Sequence, residues 1–409
     1  MNNKKNLLFY FLMVTTTIDF INGVLLTMFP KFPVSFGELF RVMLYLILLY
    51  ILIKNRWKNK SILFLIIVAG YFFINTIFLD LFMNKSLKVL FTDFENVTKI
   101  VMPILIITVF YNYKKQLQEL INECDNILLY SAVFVALSFV ICKFLNIGYS
   151  AYEDSTGYRG FYNSLNELSI VLSVLYTFVI NKIYMFKINK NKVDFKSIII
   201  LLLLAVNLAL SGSKTGIIVI IIISLIYLVK LLMNKKFKVK ITQIIFAFIG
   251  TSIIIICLFF VFHGAIFRIF DREMYFFENR DLISFVLSGR NILLNEALNK
   301  HVIGKENITT MLFGFRDFTN NATTFVNIEL DGFVIFINYG LVGVVLITAF
   351  YLNIFIKAIK IKSTEIFQYK LSFIIMIMFS LAAGHVMFGA FAGTFLAIVS
   401  IPFVSENYN

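Results

Sequence analysis

The residues Asn327-Ile328-Glu329-Leu330-Asp331-Gly332 place two carboxylates at the mouth of a long apolar run. A carboxylate at such a boundary suits proton abstraction from a hydroxyl. His385, in Ala382-Ala383-Gly384-His385-Val386-Met387-Phe388-Gly389, titrates in the range that acid–base work needs. Three cations complete the set. Arg159 follows Tyr158, Arg290 sits in Ser288-Gly289-Arg290-Asn291, and Lys214 sits in Leu210-Ser211-Gly212-Ser213-Lys214-Thr215-Gly216. A guanidinium grips phosphate oxygens bidentately, and a cation beside free helix N-terminal amides holds an anion. Glu329 and Asp331 are two apart, about 200° around a helix, so one serves as base and the other as cap or orienter. Each cation also has a plain structural reading, as an interfacial Arg, a snorkelling Lys or a solvated loop Arg.

The elements that carry these residues are membrane spans. The chain has 409 residues, is 60% hydrophobic and only 15% charged, with a mean hydropathy of +0.88. A soluble surface needs far more charge. Runs such as 198–210, 216–233 and 241–262 are almost uncharged and cross, or nearly cross, about 30 Å of hydrocarbon. Twelve spans are expected, at 7–29, 34–53, 61–82, 96–111, 125–147, 163–186, 196–211, 213–233, 241–264, 328–356, 365–384 and 387–405. The first contains Asp19 and lacks a small-residue cleavage motif, so it reads as a retained span.

The net charge of +14 does not point to nucleic acid. The lysines crowd short loops at 54–60, 114–115, 182–196, 230–240 and 357–370, which orients both termini to the cytoplasm. The chain thus divides into 1–264 with nine spans, a large external loop at 265–327, and 328–409 with three more. The loop is neutral. Arg268, Arg272, Arg280, Arg290, Lys300, Lys305 and Arg316 balance Asp271, Glu273, Glu278, Asp281, Glu296, Glu306 and Asp317. Within it, 284–300 has the spacing of one amphipathic helix on the membrane surface. Cys124, Cys142 and Cys257 have unrelated spacings and form neither a metal site nor an evident disulfide. Gly-Ser-Lys-Thr-Gly at 212–216 lacks the full phosphate-loop spacing, so no nucleotide site is expected.

Several motifs read together resemble the O-antigen polymerase and ligase superfamily. They are Arg159-Gly160-Phe161 with Asn166-Glu167, Ser213-Lys214-Thr215-Gly216, Ser288-Gly289-Arg290, Glu329-Leu330-Asp331 with Tyr339-Gly340-Leu341-Val342-Gly343, and Ala383-Gly384-His385. The likeness covers roughly 150–400 and is greatest to Wzy-type capsular or exopolysaccharide repeat-unit polymerases of Gram-positive bacteria. Two departures stand out. The family commonly has Arg where this chain has Lys214. The ligases place a His-Asn pair where this chain has Glu329 and Asp331, which favours polymerase over ligase.

The resemblance implies an all-α membrane glycosyltransferase of the C type, acting on undecaprenyl-diphosphate-linked oligosaccharides as donor and acceptor. The lipid diphosphate leaves as the acceptor hydroxyl attacks. Glu329, Asp331 and His385 are then the catalytic candidates, with the two acids ahead of the histidine. Arg159, Arg290 and Lys214 would bind diphosphate, and Asn166 and Glu167 would bind substrate. No cofactor or metal is expected. The site would face outward, and a flippase and a chain-length regulator of the same pathway are the expected protein partners. A lipid-linked oligosaccharide flippase, or a ligase of the same superfamily, is the competing reading.

Overall fold

The computed structural model describes residues 2–30, 35–54, 60–112, 116–151, 157–190, 192, 194–233, 267, 271, 274–279, 281–317 and 319–405. The protein is a polytopic all-α membrane protein. Among the described residues nine helices are long and apolar enough to cross a membrane, and two apolar helices are shorter. The long ones include α1 (Asn2–Met28), α2 (Phe36–Lys54), α3 (Lys60–Phe82), α4 (Leu87–Asn112) and α5 (Leu117–Phe144). A small antiparallel pair follows, β1 (Tyr149–Ser150) with β2 (Tyr158–Gly160). Then come α6 (Leu165–Lys190), the short α7 (Phe195–Ser211) and α8 (Lys214–Leu232). The expected span 241–264 lies outside the described residues.

The remaining elements are α9 (Leu282–Val286), α10 (Arg290–Ala297), a π turn over Leu298–Val302, α11 (Ile308–Phe313), α12 (Asp331–Lys360), α13 (Phe367–Ala382) and α14 (Ala390–Ser400). The last expected span is thus shorter than its sequence run. It starts only at Ala390 and closes with a 3-10 turn, Ile401–Val404.

Two compact units divide the chain. The first comprises Met1–Leu12, Gly37–Cys124 and Asp281–Asn409; the second comprises Met13–Phe36 and Asp125–Arg280. In the second unit, α8 turns Ile218, Ile221, Ile222, Leu225 and Val229 outward. Its interior holds Thr16, Ser131, Ser169, Ser173, Thr177 and Asn207, all completely buried. Apolar faces outward and hydroxyls inward invert the soluble pattern, as lipid demands. Several of these buried groups are paired: Thr16 bonds Ser131 at 2.8 Å, and Ser173 donates to the Ser169 carbonyl at 2.8 Å. The α7–α8 turn is built by two local signals. Gly212 ends α7 in the left-handed conformation (φ 70°), and the Ser213 side chain caps α8 by accepting from Gly216 N–H.

In the first unit the decisive feature is a break in α12. Gly340 has φ 63° and ψ −167°, so the helix is interrupted there. The carbonyls freed just before it are met by donors from the loop and from α3. Phe315 N–H donates to Ile337 O at 2.5 Å, Arg316 Nε donates to Asn338 O at 3.2 Å, and the Tyr71 hydroxyl donates to Tyr339 O at 2.5 Å. A β-carbon on Gly340 would lie 2.3 Å from the Leu312 backbone. Gly340→Ala therefore combines a forbidden dihedral with a backbone clash. It is expected to destabilise by roughly 2–5 kcal/mol, seen as a lower thermal unfolding temperature of the purified membrane protein.

One expectation is corrected. The segment 284–300 is not a single amphipathic helix. Ser288 (φ 55°) and Gly289 (φ 81°) both sit in left-handed geometry and break it between α9 and α10. The chain turns there, which lets Arg290 and Ala297 be buried while Ile292 and Leu293 stay exposed. Ala297 then packs with Phe315, Val326, Ile328, Val334 and Ile337 in one apolar cluster.

Candidate functional site

That cluster ties Arg290, on α10, to the segment that carries Glu329. The two residues meet: Arg290 Nη2 lies 3.1 Å from Glu329 Oε2. On the other side, His385 Nε2 lies 3.6 Å from Glu329 Oε1. The Glu329 side chain is 40% exposed, against 10% for Arg290. A carboxylate open to ligand thus sits between a largely buried guanidinium and an imidazole. Arg290 Nη1 donates to Leu287 O at 3.3 Å, and its Nε is buried with no hydrogen-bond partner among the described residues. A guanidinium whose carboxylate partner is itself open to solvent is suited to exchange that partner for an incoming anion.

Local geometry explains how Glu329 reaches this position. Helix α12 starts at Asp331, not at 328 as the hydropathy suggested. Glu329 stands before it with φ 57°, and its N–H is taken by the Asn327 side chain at 3.2 Å. Glu329 and Asp331 therefore are not two positions on one helix, and the 200° argument does not apply to them. Gly384 (φ 64°) packs against Glu329, and a β-carbon there would lie 2.4 Å from the Glu329 carbonyl carbon. His385 follows at φ 61°. Left-handed geometry at two non-glycine residues that face each other is sparsely populated, and such strain gathers at functional sites.

Asp331 holds this arrangement. It is 1% exposed. Its Oδ1 accepts from His385 N–H at 2.8 Å. Its Oδ2 accepts from Val386 N–H at 3.0 Å, Met387 N–H at 2.9 Å and the Ser380 hydroxyl at 2.9 Å. Three successive amides form an anion nest, and Asp331 fills it. With four donors on two oxygens, this carboxylate locks the His385 turn onto α12 and has no oxygen open to a substrate.

The second unit holds the other candidates. Arg159 lies on β2, where Nε donates to Ser150 O at 3.2 Å and Nη1 donates to Asn163 O. Its guanidinium stacks over Tyr149 at 4.9 Å. Burial pulls its pKa below the ordinary arginine value, partly offset by Tyr149. Asn166 and Glu167 lie in the first turn of α6, half-buried. Lys214 opens α8, with Nζ 5.9 Å from the Phe276 ring centre. Glu153 and Asp154, the acids nearest Arg159 in sequence, lie outside the described residues, as do Arg268, Arg272, Glu273 and Arg280 of the loop.

Sequence reasoning missed a second charged cluster in the first unit: Asp80 of α3, Asp93 of α4 and Arg316 of the loop, all buried. The available signal was an acid inside the expected span 61–82. Among the described residues no group of three or more His, Cys, Asp or Glu could hold a metal ion.

A family model described as "O-antigen ligase like membrane protein" matches residues 1–283. The match contains Arg159, Asn166, Glu167 and Lys214 and ends before Arg290, Glu329, Asp331 and His385. No curated protein and no solved structure matches the chain.

Proposed function

Since the chain belongs to the O-antigen ligase-like membrane protein family, a family of membrane glycan-processing enzymes of the glycosyltransferase type, we propose that it is a polysaccharide polymerase. It joins repeat units carried on undecaprenyl diphosphate at the outer face of the cytoplasmic membrane, with both termini inside. The observation that carries this reading is Glu329 held between Arg290 and His385 on a turn fixed by Asp331.

In the proposed reaction the acceptor sugar hydroxyl attacks the anomeric carbon of the donor. The new carbon–oxygen bond forms as the bond to the diphosphate oxygen breaks, and the lipid diphosphate leaves with the electron pair. Glu329 takes the hydroxyl proton. Arg290 meets the charge growing on the leaving group. Because Arg290 is paired with Glu329 in the free protein, diphosphate competes for the guanidinium and uncovers the base. His385 adjoins the same carboxylate oxygen that accepts the proton, and it shares or passes that proton on. Asp331 positions the turn and takes no part in proton transfer. Acids at this point of the chain, in place of the ligases' His-Asn pair, support polymerase over ligase. Arg159 and Lys214 are anion-binding candidates of the second unit in their own right.

Arg290→Ala is expected to raise the KM for the lipid-linked donor by about tenfold to a hundredfold, the value of one to two charge-assisted hydrogen bonds. Arg290→Lys should recover part of the loss. Steady-state kinetics on purified protein with defined lipid-linked units check this. An unchanged KM in both variants would remove Arg290 from the site. In a strain lacking the gene, the polymerase reading requires single units to accumulate on the outer leaflet. Units trapped on the inner leaflet would mean a flippase, and full-length but unattached glycan would mean a ligase.

A further inference from the structure

The loop that ends at Leu330 keeps step with α3 over part of its course. Lys85, just past the Phe82 end of that helix, donates to Asn320 O at 3.1 Å. Deeper along the helix, Arg316 Nη1 lies 3.5 Å from Asp80 Oδ1, and Nη2 donates to Thr76 Oγ1 at 2.6 Å. Deeper still, Asn75 Nδ2 donates to Phe313 O at 2.9 Å, and the Tyr71 hydroxyl stands 3.4 Å from Leu312 O. Asn320, Arg316, Phe313 and Leu312 thus meet Lys85, Asp80, Asn75 and Tyr71 in that order. The apolar span within α3 is Ile62–Phe82, 21 residues. At about 1.5 Å per residue it matches about 30 Å of hydrocarbon. Asn75 then lies about 10 Å, and Tyr71 about 16 Å, below the Phe82 end.

The backbone at this depth is served as a membrane interior requires. Irregular backbone is tolerated there only where protein groups take the place of water. Gly314 N–H donates to Thr310 O at 2.8 Å, and Phe315 N–H donates to Ile337 O at 2.5 Å. Asn75, a side chain of a membrane span, gives an amide hydrogen to the Phe313 carbonyl, a role that water fills in an external loop. The tip is wedged in place. Gly314 has φ 113°, and a β-carbon on it would lie 2.4 Å from Asn338 O, beside the Gly340 break.

The side chains change character along the same path. The chain enters α11 through Lys305, Glu306 and Asn307, all polar and exposed. Within α11, Ile308, Met311 and Phe313 are 78%, 42% and 42% exposed. Ile74 of α3, next to Asn75, is 68% exposed. Large apolar side chains turned outward at the level of a span's interior fit hydrocarbon, whereas a water-facing loop would leave them as a sticky patch.

We propose that residues 308–317 form a re-entrant hairpin, descending through α11 and returning by Arg316, and that the exposed face of α11 lies against the acyl chains of the leaflet at the Phe82 end. The large loop is then partly embedded in the membrane. This surface stands apart from the proposed reaction and holds for a polymerase, a ligase or a flippase alike.

The test places a bimane fluorophore on single cysteines in the full chain, with Cys124, Cys142 and Cys257 changed to Ala, in phosphatidylcholine vesicles without substrate. Phospholipid brominated midway along its acyl chains should quench the label at Met311→Cys and Phe313→Cys as much as at Ile74→Cys. It should leave the label at Asn320→Cys nearly unchanged. Iodide in the water should do the reverse. Melting temperatures show which labelled variants are folded; if Phe313→Cys is not, Met311→Cys decides alone. Iodide quenching at Met311 and Phe313 to the extent seen at Asn320 would put α11 in water and overturn the proposal. Quenching by neither agent would mean that protein, a second copy or another chain, covers this face, and would overturn it too.

Discussion

Glu329→Gln is expected to lower the rate of polymer elongation by about a hundredfold to ten-thousandfold, the usual contribution of a general base, if the proposed reaction holds. The substitution keeps size and shape, so the left-handed backbone at 329 and the packing on Gly384 are undisturbed. What disappears is the proton acceptor and the negative charge facing Arg290. The two losses act in opposite directions on substrate. Without its carboxylate partner, 3.1 Å away, Arg290 is free to hold diphosphate, so the KM for the donor should stay level or fall while kcat collapses. This split separates loss of a base from loss of a binding group. The measurement is ladder formation from defined lipid-linked units, with thermal unfolding in parallel to show that the variant is folded. Elongation within about threefold of wild type would transfer the role of base elsewhere, with His385 the next group to test. His385→Gln should reduce kcat less than Glu329→Gln, because the imidazole meets the acceptor proton only beside that carboxylate.

The membrane architecture was legible in the sequence because its signal is local. A span needs about 20 consecutive apolar residues, and lysine-rich loops mark where spans end. α2, α3 and α8 therefore run close to the limits hydropathy suggests. Glu329 and His385 were legible as charges where charge is expensive. What hydropathy cannot show is backbone that leaves the helix inside an apolar run. The run at 328–356 reads as one helix, yet Gly340 interrupts it because Phe315 N–H, the Arg316 side chain and the Tyr71 hydroxyl take over the carbonyls before it. Asp331 looked like a partner to Glu329 in catalysis because spacing alone does not reveal that three amides from 385–387 already surround it. Arg316 was one of several cations in a neutral loop. Its partner Asp80 is 236 residues away, and no local pattern encodes a contact of that separation.

Asp331 is expected to give the largest loss of stability of any single site residue. Its carboxylate satisfies four donors in a place that water does not reach. Asp331→Ala leaves all four unpaired, and each buried orphan costs about 1–3 kcal/mol, so roughly 4 kcal/mol or more should be lost. Asp331→Asn is gentler. Its carbonyl oxygen can keep the three donors at the Oδ2 position, but its amide then confronts His385 N–H and the negative charge is gone. About 2–4 kcal/mol is expected. The same experiment separates positioning from catalysis. If Asp331 acts only through the turn it holds, activity should fall together with thermal stability, and Asp331→Asn should recover both in part. A fully stable Asp331→Asn protein without activity would make Asp331 a base after all. That result would require the His385 turn to hold its shape without an anion in its nest, which the three amide hydrogen bonds to a single carboxylate argue against.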